Sequence, residues 1–204
     1  MKTLFIPAKI NLELDFKKVQ SLKLPKKLAI AYSIQYKDVA EKIKKILSEK
    51  HTITSFLQVL GCSNTKFPKN TDAVLLISSG KFHAISLALN SEIPIYLFEN
   101  NNLEKISEQE IENLKKKKKS AYLKFLNSEK IGILISTKPG QENLQRAMNI
   151  SKKLKNKKNY FFLSNEINVN EFENFDINSW INTACPRMDF DSSVINISDL
   201  EKIN

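Results

Sequence analysis

A chain of 204 residues with 42% hydrophobic residues has room for one large domain or two small ones, each with a real core. No apolar run approaches the roughly 18 residues that suggest a membrane span, and residues 1–7 hold too short an apolar patch for a secretory leader, so a cytoplasmic protein is expected. The formal charge of +10 is nearly all lysine, with arginine only at Arg146 and Arg187. That balance argues against sequence-specific nucleic-acid recognition, which usually relies on arginine, but a basic surface would still favour an acidic partner.

Residues 1–27 do not form a complete unit. Residues 3–8 have a strand-like pattern, and a mixed segment ends at Leu24 and Pro25, so this part reads as a stub or arm. From Leu28 the pattern becomes regular. Residues 28–33 form a short apolar run suited to a buried parallel strand. Val39, Ile43, Ile46 and Leu47 then mark one face of a helix over residues 36–50. Strands follow at 54–60 and 73–77, a helix at 82–90 and a strand at 93–98, completing a first α/β unit over residues 28–100. Residues 101–128 are charged, include lysine at every position from Lys115 to Lys119, and read as a helical linker whose lysines form a solvated face or a docking patch.

The second unit, residues 129–204, opens with a strand at 130–136. Leu144, Ala147, Met148, Ser151 and Leu154 mark the next helix, followed by a strand at 160–163, a short helix at 169–175, and strands at 179–184 and 194–197. The expected fold is α/β, with two homologous parallel-sheet units in tandem whose strands are flanked by helices.

Three of the four glycines sit at strand exits: Gly61 before Cys62, Gly80 before Lys81, Phe82 and His83, and Gly140 before Gln141. Glycine there lets the backbone approach a ligand, and a following helix N-terminus suits an anion. Gly132 lies inside a strand, where it permits close packing. The two cysteines, Cys62 and Cys185, are far apart, which favours ligand or reactive thiols over a disulfide framework. Both fall at strand C-terminal ends, where open α/β sheets place their ligands. Around Cys185 the stretch from Asn182 to Asp191 also gathers Pro186, Arg187 and Asp189. A soft ligand with a fixed cation and acids suits a metal cluster and a charged small molecule; a buried cysteine beside an Arg–Asp pair is the alternative.

Taken together, Ser33-Ile34-Gln35-Tyr36, Leu60-Gly61-Cys62, Asp72-Ala73-Val74, Gly80-Lys81-Phe82-His83, Lys138-Pro139-Gly140-Gln141 and Ala184-Cys185-Pro186-Arg187 with Asp191 resemble the diphthamide synthase family over residues 28–200. The resemblance implies an enzyme of three homologous α/β domains, each giving one cysteine to a [4Fe-4S] cluster whose fourth iron binds S-adenosylmethionine. Its implied reaction adds a 3-amino-3-carboxypropyl radical to a histidine of translation elongation factor 2. Cys62 and Cys185 would then be cluster thiolates, Arg187 would pair with the cofactor carboxylate or with Asp191, and Gly80, His83, Gly140 and Gln141 would line the cofactor site. No acid–base catalyst is implied.

By this resemblance the first domain and its cysteine are missing, and residues 3–8 resemble that domain's last strand. Two thiolates are too few for three protein ligands and one open iron, so a partner chain is expected to supply the third, as in a heterodimer. Two other functions compete: a non-catalytic paralogue that stabilises an active partner, and a basic RNA-associated module, which the scarcity of arginine and of clustered aromatics disfavours.

Overall fold

The computed structural model describes residues 4, 6, 8–60, 65–188 and 194–201. The chain divides into two compact units, residues 1–112 and 113–204. The first begins with a short helix α1 (Phe16–Gln20), capped by the Asp15 carboxylate, which accepts from the Lys18 amide. Then come β1 (Lys27–Tyr32), a 3-10 turn (Ile34–Tyr36), α2 (Lys37–Leu47), β2 (Thr52–Gln58), β3 (Ala73–Ile77), α3 (Phe82–Leu89), β4 (Ile95–Glu99) and β5 (Asn102–Lys105). The strand order is β2-β1-β3-β4-β5, parallel except for the antiparallel β4–β5 pair.

The period of two along each strand divides this sheet between two cores. Leu28 and Ile30 of β1, with Leu75 and Ile77 of β3, pack with Val39, Ile43 and Leu47 of α2. The intervening Ala29, Ala31, Val74 and Leu76 pack with Ala84 and Leu87 of α3. Covering on both faces is why β1 and β3 are continuous apolar runs rather than alternating ones.

Residues 101–128 are not wholly helical. After β4 the chain reverses through Asn100 (φ 48°) and Asn101 (φ 60°), and Glu99 pairs with Asn102. Two consecutive left-handed residues make a tight hairpin of the kind asparagine tolerates, and that turn adds β5 to the sheet. Helix α4 (Glu108–Leu126) follows and carries the chain into the second unit. Of residues 3–8, Thr3, Phe5 and Pro7 lie outside the described residues, and Leu4, Ile6 and Ala8 are not in a strand.

The second unit contains β6 (Lys130–Ser136), α5 (Leu144–Lys153), β7 (Lys158–Ser164), a 3-10 turn (Val169–Asn174), β8 (Ser179–Asn182), β9 (Ile195–Asn196) and a closing helical turn (Ile197–Leu200). Its sheet is parallel throughout, in the order β7-β6-β8-β9. One face carries Ile131, Ile133, Ile135 and Ile181 against Ala121 and Phe125 of α4 and Ala147 and Ile150 of α5. The other carries Leu134 and Trp180, with Phe162 and Phe172 packed on them. Both units thus place their first four strands in one order, the second strand at the edge beside the first, then the third and fourth. Among the described residues no helix is long and apolar enough to cross a membrane.

Candidate functional site

The residues singled out around Cys185 lie where β8 leaves the sheet. Asn182 and Thr183 are each 1% exposed at the end of a buried strand. Thr183 Oγ1 donates to the Leu134 carbonyl of β6 at 2.8 Å, which ties the strand exit to the centre of the sheet. The Asn182 amide then turns toward the loop. Its Oδ1 accepts from the Ala184 N–H at 2.9 Å, and its Nδ2 donates to the Cys185 carbonyl at 2.8 Å and to Asn196 Oδ1 at 2.7 Å. Asn196, 4% exposed on β9, uses its own Nδ2 to hold the Pro186 carbonyl at 3.0 Å. The Met188 N–H also donates to the Cys185 carbonyl, at 3.3 Å.

The loop is gripped from the α5 side as well. Asn143 Nδ2 donates to the Thr183 carbonyl at 2.8 Å and to the Gln141 carbonyl at 3.3 Å. This links the exit of β8 to the exit of β6, where Gly140 adopts φ 79° and the Gln141 N–H closes a turn on the Lys138 carbonyl at 3.0 Å. Gln141 therefore does not stand at a helix N-terminus, as the sequence suggested. Helix α5 begins at Leu144, and Asn143 at its N-cap spends its side chain on the β8 exit rather than on a capping bond. Gln141 is half-buried, while Arg187 is exposed beside a half-buried, free Cys185. The other arginine, Arg146, pairs through Nε with Glu201 Oε1 at 2.9 Å.

In the first unit Gly80 adopts φ 69° at the exit of β3, and its N–H donates to Glu99 Oε1 at 2.8 Å. That amide is engaged by a carboxylate of the protein itself. Lys81 leads into α3 and pairs with Glu104 and with Glu110, the latter at 2.8 Å. His83 is half-buried, with its ring edge-on to Phe82 at 5.2 Å between centroids. Cys62, with Gly61, and Asp191 lie outside the described residues.

Cys185 suits a soft metal: its thiol is partly exposed at a strand exit, and the backbone that carries it is held on both sides. The number of donors is the constraint. The sequence has two cysteines, and the described residues contain no group of three His, Cys, Asp or Glu able to hold a metal ion. The described residues offer one thiol, Cys185, which fits a share of a cluster and not the whole of one. Asn182 and Thr183 lie in the stretch singled out from the sequence but were given no role there, and Asn143 and Asn196 were not singled out. For Asn182, Thr183 and Asn196 the signal was polar residues set directly against apolar strand residues, Trp180-Ile181-Asn182-Thr183 and Val194-Ile195-Asn196-Ile197; Asn143 carries no such signal.

A profile of the diphthamide synthesis protein family matches residues 1–195, including residues 1–27, which the quoted motifs do not reach. The 2-(3-amino-3-carboxypropyl)histidine synthase of Methanocaldococcus jannaschii is 30% identical over 210 residues, covering 96% of this chain and 58% of that protein. Subunit 1 of the 2-(3-amino-3-carboxypropyl)histidine synthase of Eremothecium gossypii is 28% identical over 181 residues, covering 80% of this chain and 42% of that protein. The crystal structure of Dph2 from Pyrococcus horikoshii with a 4Fe-4S cluster superposes with a TM-score of 0.75 at 25% identity, covering 89% of this chain and 58% of that one. The chain thus spans 58% or less of the length of each of these relatives.

Proposed function

The chain belongs to the diphthamide synthesis protein family, and from that footing we propose that it is one subunit of a cytoplasmic, [4Fe-4S]- and S-adenosylmethionine-dependent 3-amino-3-carboxypropyl transferase. Its substrate would be a histidine of translation elongation factor 2, in the first step of diphthamide biosynthesis. The observation that carries this reading is the loop of Cys185, a free thiol at a strand exit whose own carbonyl and that of Pro186 are held by buried asparagines. A thiol needed only for packing does not require a backbone fixed so closely.

In this reading Cys62 and Cys185 are the thiolates this chain offers, and a partner chain supplies the third. The bound cluster with S-adenosylmethionine would supply the group-transfer chemistry; the protein's own part is to bind, orient and shield. Arg187, exposed two residues after Cys185, would meet a carboxylate, that of the cofactor or of Asp191. The half-buried Gln141 would offer a side-chain amide next to the left-handed turn at Gly140. Gly80 and His83 remain candidates for contacts to the cofactor from the first unit, although the Gly80 N–H must leave Glu99 to serve as a donor.

Anaerobic reconstitution of the isolated chain, with iron and sulfide counted per protomer, tests the proposal. The expected result is no stable cluster until the chain co-purified with it in its host is added. A stable cluster on the lone chain that responds to S-adenosylmethionine would overturn the need for a partner. The number of thiols in the chain favours a second reading, a non-catalytic paralogue that stabilises an active partner. Full activity of the assembled complex carrying Cys185→Ala would select it.

A further inference from the structure

We propose that Asn182 and Asn196 are positioning residues that set how the Cys185 thiol is presented to its metal. The inference rests on the reading of Cys185 as a cluster ligand. Burying two primary amides at the end of an apolar sheet is unfavourable unless their hydrogen bonds are made. Residues of similar shape without polar atoms could occupy such positions at little cost, provided the partner groups were also satisfied. Here the partners are main-chain groups of one short loop. The Ala184 N–H, the Cys185 carbonyl and the Pro186 carbonyl are all held by these two side chains, and the pair is joined by its own 2.7 Å bond.

The three grips lie immediately before, at and after the residue that bears the thiol. Pro186 adds a fixed φ and has no N–H of its own to satisfy. With the backbone so held, the remaining freedom of Cys185 is mainly rotation about χ1. A ligand fixed in advance loses less entropy on metal binding, which is the general advantage of a preorganised site. The arrangement also accounts for β9. A strand of two residues adds little to the sheet, but it delivers Asn196 to the loop.

The test follows the rate at which Cys185 is alkylated by iodoacetamide in the metal-free chain, read by mass spectrometry of the Cys185 peptide. Asn196→Ala removes the donor to Pro186 and the acceptor for Asn182, and should raise the rate about tenfold if one net hydrogen bond holds the loop. Asn196→Asp keeps an acceptor for Asn182 but sets a carboxylate oxygen against the Pro186 carbonyl, and should raise the rate at least as far. A core variant of matched stability loss, Ile150→Ala, should leave the rate unchanged. Rates in the Asn196 variants that match wild type, or that match Ile150→Ala, would overturn the proposal. Should Asn196→Ala fail to fold, Asn196→Asp decides by the same comparison. Iron content of the assembled complex carrying Cys185→Ala separates the two levels. Full iron there defeats the ligand reading itself, whereas lost iron with unchanged alkylation rates defeats only the role of the asparagines.

Discussion

Gly132 shows how a single missing side chain organises a face of the second unit. A Cβ built on it would fall among the atoms of the Trp180 ring. That ring cannot move aside freely, because Phe172 stacks on it at 4.3 Å and Phe162 meets it edge-on at 4.7 Å. Two effects oppose each other in Gly132→Ala. Removing a strand glycine reduces the flexibility of the unfolded chain and stabilises by roughly 0.4–1 kcal/mol. Overpacking a filled core costs about 1–3 kcal/mol. The clash should win, so the variant is expected to lower the urea midpoint. Trp180 is the sole tryptophan, and its fluorescence should shift as its aromatic surroundings loosen. A midpoint equal to or above wild type would show that the ring has somewhere to go.

Helix α4 illustrates what an element takes from its first turn. Ser107 Oγ accepts from the Glu110 N–H at 3.2 Å, while the Glu110 carboxylate accepts from the Ser107 N–H at 3.0 Å and from its hydroxyl at 2.9 Å. This reciprocal box satisfies amides that a helix start leaves without partners. The Lys81 ammonium, and then the Ser107 amide and hydroxyl, hold the Glu110 carboxyl down at about 2, against an ordinary value of 4.5. A carboxyl whose value is depressed on folding contributes stability above its unfolded value and loses it as pH falls toward the folded one. Glu110→Gln should therefore be less stable than wild type near neutral pH, and the gap should close between about pH 4.5 and about pH 2. A gap constant across that range in urea titrations would show that the charge contributes nothing. The helix was legible within the charged stretch 101–128, yet β5 just before it was not. Its signal is a pair of asparagines in left-handed conformations, and a local turn of that kind leaves no hydrophobic periodicity. The buried strands β3 and β6 were plain because both of their faces are covered and their sequences are continuously apolar. β2 was placed late, at residues 54–60 rather than Thr52–Gln58, because an edge strand of partly exposed residues has weaker bounds.

At the scale of the molecule, two units of one strand order each carry one cysteine, Cys62 among residues 1–112 and Cys185 among residues 113–204. The motifs around these thiols and the glycines at the strand exits were visible in the sequence because they are clustered short signatures. The buried asparagines were not, since a polar residue at the end of an apolar run looks like the start of a loop until its partners are known. If both thiolates serve one cluster, they act as a unit, and their removal must be strongly non-additive. A complex assembled with the partner chain and carrying Cys62→Ala should lose most of its iron, and so should one carrying Cys185→Ala. The double variant should then be no worse than either single one. Two independent metal sites would instead lose iron in separate steps, each single variant keeping the share held by the other. Iron and sulfide analysis of the four complexes, supported by the visible absorption of the cluster, distinguishes these outcomes. Separate, additive losses would rule out a shared cluster.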